Sequence, residues 1–293
     1  MTGPPRASPP PGSTSRPLPG LAAYAAATAI TVFSIASQYF LPQLLPALVP
    51  VYASLVGDLL IVYGIPITTF LLLIGPAPLA GALKNNGVAA VESLRWYGLL
   101  TVVALILEVV ALTVLLAVDP AAVNRLSAPT PIVKVAEQAP WFWAALSFPI
   151  GVCEEVIFRG WIFGYWMRRD PAGWKVPLVW TSFLFAGVHV YYALTYGPAF
   201  IVPAIVLVLD GFAFALAFQA SGGNLVAVSL LHGWNDATVF IALAMPGLGL
   251  GLHYAAVLAG VAIAVGLYLR QRPVGDPISP IAPFGPPPPP GGL

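Results

Sequence analysis

Between residues 21 and 269 the chain divides into about eight apolar segments, each near the roughly 20 residues that a helix needs to cross a hydrocarbon core. A backbone in lipid must satisfy its own N–H and C=O groups, so segments of this kind fold as helices. They run approximately Leu21–Leu41, Val51–Leu79, Tyr97–Val118, Trp141–Trp166, Val176–Tyr196, Phe200–Ala220, Leu225–Met245 and Leu250–Leu269. The pattern predicts an all-α, polytopic integral membrane protein with about eight transmembrane helices. The charge content agrees: 8% of residues are charged, against ~25% in a soluble globular protein. No internal repeat is apparent, which disfavours an inverted-repeat transporter.

The ends have a different composition. Residues 1–20 are dense in Pro, Ser and Gly, and residues 271–293 end in Pro286–Pro290 followed by Gly-Gly-Leu. Both predict disordered, Pro-rich tails flanking a helical domain over 21–270. Basic residues orient the helices, because short loops rich in Lys and Arg stay cytoplasmic. With the amino terminus inside, Lys84, Arg95, Arg168, Arg169, Lys175, Arg270 and Arg272 fall inside, and only Arg125 and Lys134 fall outside. Both termini are then cytoplasmic. A net charge of +1 with no basic patch argues against nucleic acid as a partner. The lone cysteine, Cys153, cannot form an intramolecular disulfide, and only Arg159 stands near it in sequence to stabilise a thiolate, so it reads as a core residue.

Inside the fourth apolar segment stands Glu154-Glu155-Val156-Ile157-Phe158-Arg159. An ionisable side chain at bilayer depth costs about 2.5 to 3.5 kcal/mol on insertion scales, so three within six residues mark a polar cavity. On a helix Glu155 and Arg159 share a face and can pair, whereas Glu154 lies about 100° round from its neighbour. Left unpaired, Glu154 is the natural general base. Two more segments bring histidines to similar depth. Phe185 and His189 share one face, as do His232 and Asp236, with Asn235 between them in sequence. His253 is expected at the membrane interface. Asp58, Glu108 and Asp210 also stand in apolar segments and receive no catalytic role. Trp141, Trp143, Tyr191 and Tyr192 are expected as interface anchors.

Together these residues resemble the motif set EExxxR, FxxxH and HxxxN/D of the CAAX protease and bacteriocin-processing family, the type II CAAX prenyl endopeptidases and their bacterial relatives. The resemblance spans about 140–239 and includes Thr181–His189 and the small polar turn Ser221-Gly222-Gly223-Asn224-Leu225. It implies an eight-helix intramembrane glutamic endopeptidase with a conical cavity that admits a peptide. Glu154 and His189 would activate water, His232 with Asp236 would hold the oxyanion, and Glu155 and Arg159 would position the base. The family's best-studied members carry asparagine where this chain has Asp236. An ionised aspartate cannot donate, which leaves three roles open: Asp236 is protonated, it orients His232, or Asn235 is the donor.

The resemblance implies no cofactor and no metal. It also implies a peptide or protein substrate with a carboxy-terminal hydrophobic or lipidated segment, and a bacterial cytoplasmic (inner) membrane. Prenylated CAAX tails, bacteriocin leaders and carboxy-terminal sorting anchors are all cleaved within the family. A zinc protease using Glu154, His189, His232 and Asp236 is the runner-up, although no HExxH is present. A membrane scaffold or immunity protein and a proton-coupled transporter are the alternatives outside proteolysis.

Overall fold

The structure is a computed structural model that describes residues 20–44, 59–76, 79, 89–126, 129, 131–166 and 174–269. Both expected tails, apart from Gly20, lie outside these residues, as do Asp58, Lys84, Arg168, Arg169, Arg270 and Arg272. Every regular element among the described residues is helical. We number them α1 (Gly20–Leu44), α2 (Leu60–Leu73), α3 (Ala89–Val118), α4 (Pro120–Leu126), α5 (Pro131–Ala136), α6 (Pro140–Trp166), α7 (Lys175–Gly187), α8 (Ile201–Ala220), α9 (Leu225–Ala244) and α10 (Pro246–Leu269).

Among the described residues, five stretches are long and apolar enough to cross a membrane: Ala90–Val118, Pro140–Trp166, Val190–Ala220, Leu225–Ala244 and Pro246–Leu269. Apolar stretches in α1 and α2 are shorter, at Tyr24–Phe33 and Leu60–Leu73. The expected crossing over Val176–Tyr196 is divided. Helix α7 stops at Gly187, where His189 leaves helical geometry (φ −96°, ψ 5°) and its Nδ1 lies 2.9 Å from the Phe185 carbonyl, closing the last turn. The following turns, Val190–Phe200, run on into α8. Outside, α3 presents Val102, Val103, Ile106, Val109, Val110 and Val114 as exposed side chains, an apolar band suited to lipid rather than water. Past its end, Asp119 accepts a hydrogen bond from Arg125 at 2.6 Å, and this guanidinium holds the carboxyl below its ordinary range.

Packing inside a bilayer gains little from hydrophobic burial, so close contact between backbones has to hold the helices together. Helices α6 and α9 meet in this way. A Cβ on Gly151 would stand 2.9 Å from the Gly233 nitrogen, and one on Gly233 would stand 2.7 Å from the Phe148 Cα. That approach places His232 beside Glu155, one turn from Gly151. The connection into α9 is equally local. Gly222 and Gly223 take left-handed φ of 72° and 82°, a conformation costly for any residue with a Cβ. Asn224 then caps α9, its Oδ1 accepting from Ala227 N at 3.0 Å. Helix α6 changes pitch at Val156–Phe163, which is π-helical, as are Leu60–Gly64 in α2. Such turns recur at functional sites. Here one begins immediately after Glu155 and the other carries Tyr63.

Candidate functional site

The two adjacent glutamates of α6 have different surroundings. Glu155 is fully buried, and its Oε1 accepts from Arg159 Nη1 at 3.0 Å and from His232 Nδ1 at 2.8 Å. Arg159, 1% exposed, also donates from Nη2 to the Gly211 carbonyl of α8 at 3.0 Å. Its guanidinium lies over the faces of Phe185 and Phe214, at 4.5 and 5.3 Å from the ring centres. The expected Glu155–Arg159 pair is therefore present, and its partners tie α6 to α7, α8 and α9. A charge this deep is held only where its partners surround it.

Glu154 is buried at 8% exposure, and its Oε1 accepts from the Tyr63 hydroxyl of α2 at 2.7 Å. Its Oε2 faces His232 Nε2 at 3.7 Å. A small cavity opens onto it, lined also by Thr31, Val62, Tyr63, Ile157, Phe158 and Val188. The same His232 Nε2 lies 3.5 Å from Asp236 Oδ2. His232 thus has Nδ1 committed to Glu155 and Nε2 turned toward two further carboxylates. Its ring stacks on Phe214 with centroids 4.7 Å apart at 20°.

His189 is half-buried at the end of α7. A carbonyl can only accept, so the contact with Phe185 O fixes the proton on Nδ1 and leaves Nε2 as an acceptor. The Phe185 ring lies between the two histidines, 5.3 Å from His189 and 5.6 Å from His232. Asn235 does not face His232 as the neighbouring Asp236 does. Its Oδ1 accepts from Tyr97 at 2.7 Å and its Nδ2 lies 3.4 Å from Asp236 Oδ1.

The structure adds residues that the motif spacing missed. Tyr63 and Tyr97 join Glu154 and Asn235 from 91 and 138 positions away, and tyrosines in apolar runs carry no local mark of such a role. Asp210 stands next to the carbonyl that Arg159 uses and interacts electrostatically with Arg159, His232 and Asp236. His253, expected at the interface, has its Nδ1 3.2 Å from the Tyr97 hydroxyl. Of the expected anchors, Trp141 is 54% exposed, but Trp143 is 6% exposed against Phe240, and Tyr191 and Tyr192 pack beside His189. Glu108 is half-buried on α3 and shares none of the site's hydrogen bonds described above. No group of three or more His, Cys, Asp or Glu side chains is arranged to hold a metal ion among the described residues.

With this geometry in view, residues 136–238 match the family model Type II CAAX prenyl endopeptidase Rce1-like. The match covers about a third of the chain and includes Glu154, Glu155, Arg159, His189, His232, Asn235 and Asp236. The matched family is one of membrane proteases, whose substrates are proteins with carboxy-terminal motifs. No curated protein and no solved structure matches the chain.

Proposed function

We propose that this chain, with its Rce1-like segment, is an intramembrane glutamic-type endopeptidase that hydrolyses a peptide bond near the carboxy terminus or membrane anchor of its substrate. The observation that carries the reading is the placement of His232 Nε2 opposite Glu154 Oε2 while Nδ1 is held on the buried Glu155–Arg159 pair. Glu154 takes a proton from water, with the His189 Nε2 lone pair as the second base. The resulting hydroxide attacks the scissile carbonyl carbon. With a proton on Nε2 as well, His232 donates to the tetrahedral oxygen, and Asp236 orients it from the next turn. The proton taken from water passes to the amine nitrogen as the C–N bond breaks.

Glu155 and Arg159 position this machinery. They are the counter-charges of each other and the anchor of His232, so their contribution reaches the substrate only through it. The hydrophobic carboxy-terminal segment of the substrate is what the family resemblance implies; the cavity at Glu154, whose walls include Val62, Ile157 and Val188, has room for about one water.

The test is cleavage by the purified chain in proteoliposomes of a reporter with a carboxy-terminal hydrophobic tail, combined with elemental analysis. Glu154 is assigned as a base rather than a ligand. The protein is therefore expected to cleave with no stoichiometric zinc, and a strong chelator leaves the rate unchanged. One zinc per chain, lost together with activity and restored with it, would replace this mechanism by a metal-assisted one.

Both termini are assigned to the cytoplasmic side on the distribution of Lys and Arg, and a bacterial inner membrane is what the family resemblance implies. Reporter fusions after Arg169 and after Arg272 are expected to give a cytoplasmic signal, and a fusion near Ala128 a signal from the far side. A cytoplasmic signal at Ala128 contradicts the eight-crossing arrangement among the first three segments.

A further inference from the structure

Asp236 is the starting point of a chain of hydrogen bonds that leaves the motif-bearing segment. In the orienting role proposed above Asp236 accepts, so the Asn235 group nearest its Oδ1, at 3.4 Å, is the amide NH₂. That fixes the other end of the amide. Asn235 Oδ1 faces Tyr97, and the Tyr97 hydroxyl must donate to it, at 2.7 Å. With its one proton committed, the Tyr97 oxygen is left as an acceptor, which His253 Nδ1–H meets at 3.2 Å. Every bond then runs in one direction: His253 to Tyr97, Tyr97 to Asn235, Asn235 to Asp236.

A second connection joins the same two ends through rings. Tyr97 is fully buried and lies nearly parallel to Phe214, with centroids 6.3 Å apart at 7°, and Phe214 stacks in turn on His232. His253 meets Tyr97 edge to face at 6.2 Å. Tyr97 belongs to α3 and His253 to α10, both outside the matched residues 136–238. These helices pack at Gly98 and Gly260, where a Cβ on Gly98 would stand 2.8 Å from the Gly260 Cα. Close packing of this kind fixes Tyr97 and His253 relative to each other.

We propose that Tyr97 and His253 are positioning residues that orient the Asn235 amide toward Asp236, so that Asn235 supports Asp236 and His232 rather than contacting the substrate. The proposal rests on the peptidase reading above. It assigns the Asn235 amide protons to Asp236 and leaves the substrate-facing part to His232. It also gives α3 and α10, two helices without family motifs, a role in the geometry of the site.

The experiment is a double-mutant cycle on the full-length chain in proteoliposomes, with kcat and KM measured on one hydrophobic-tailed peptide. Tyr97→Phe keeps both ring contacts and removes only the hydroxyl. It is expected to lower kcat by about 3- to 10-fold, the worth of one net hydrogen bond, with KM changed less than about 2-fold. Asn235→Ala lowers kcat by at least as much, and adding Tyr97→Phe to it costs nothing further, because the hydroxyl acts only through the amide. His253→Phe gives a smaller kcat loss that also vanishes in the Asn235→Ala background. This second cycle decides the question if Tyr97→Phe does not accumulate. Unchanged kcat in the single variants, or losses that multiply with Asn235→Ala, overturns the proposal. A wild-type chain that cleaves nothing overturns the peptidase reading itself, an outcome recognisable because no variant is then needed to see it.

Discussion

Glu154→Gln is expected to lower peptide cleavage by about 10²- to 10⁴-fold, the usual worth of a general base, while the protein remains folded and inserted. The geometry explains why the two effects separate. The Tyr63 hydroxyl donates to Oε1 at 2.7 Å, and an amide oxygen in that place accepts the same bond. The other oxygen, which faces His232 Nε2 at 3.7 Å, becomes an NH₂ that cannot take a proton from water. Shape and packing are retained and the base is lost. The measurement is single-turnover cleavage by wild type and variant at matched protein levels. Near wild-type turnover of the variant removes Glu154 from the mechanism.

Glu155→Gln and Arg159→Ala are expected to behave differently, losing protein as well as activity. Both charged groups are shut off from bulk water: Glu155 is 0% exposed and Arg159 1%. Removing one partner leaves the other as an uncompensated buried charge, at a cost of about 3 to 5 kcal/mol. This is a large part of the 5–15 kcal/mol that typically stabilises a folded domain. Arg159→Ala also leaves the Gly211 carbonyl without its donor and removes the cation from the faces of Phe185 and Phe214. The double variant Glu155→Gln/Arg159→Met removes both charges and should recover part of the abundance, measured in the membrane fraction, without recovering cleavage. His232 would still lack the carboxylate that holds its Nδ1 at 2.8 Å. Full activity in that double variant would show that the pair does not position the histidine.

The parts of this site that could be read in the sequence are those whose partners are one helical turn apart. Glu155 with Arg159, His232 with Asp236 and Phe185 with His189 all obey the i,i+4 rule, and all three contacts are present. Even so, the last ends a helix rather than lying within one, which divides the crossing expected over Val176–Tyr196. The turn Ser221–Leu225 was named only through the family resemblance, and the cap that Asn224 places on α9 is a finding of the structure. Tyr63, Tyr97 and His253 carried no such local mark, because hydropathy and spacing describe one helix at a time and their partners come from others. A tyrosine in an apolar run is compatible with an interfacial anchor or a buried donor, and only tertiary packing decides between them. Trp143 illustrates the same ambiguity in reverse, expected at the interface and found 6% exposed against Phe240. The π-helical turns of α2 and α6 likewise carry no mark in hydropathy or spacing, although they adjoin the Tyr63–Glu154 contact.

The central claim is that Glu154 works as a base on water, and oxygen labelling of a single turnover tests it most directly. Purified chain in excess over a hydrophobic-tailed peptide is incubated in H₂¹⁸O, and both the cleaved peptide and the Glu154 side chain are analysed by mass spectrometry. The account predicts one ¹⁸O in the newly formed carboxylate and none on Glu154. Label on Glu154 with an unlabelled product would make it a covalent nucleophile, and the absence of any cleaved product would contradict peptide hydrolysis altogether.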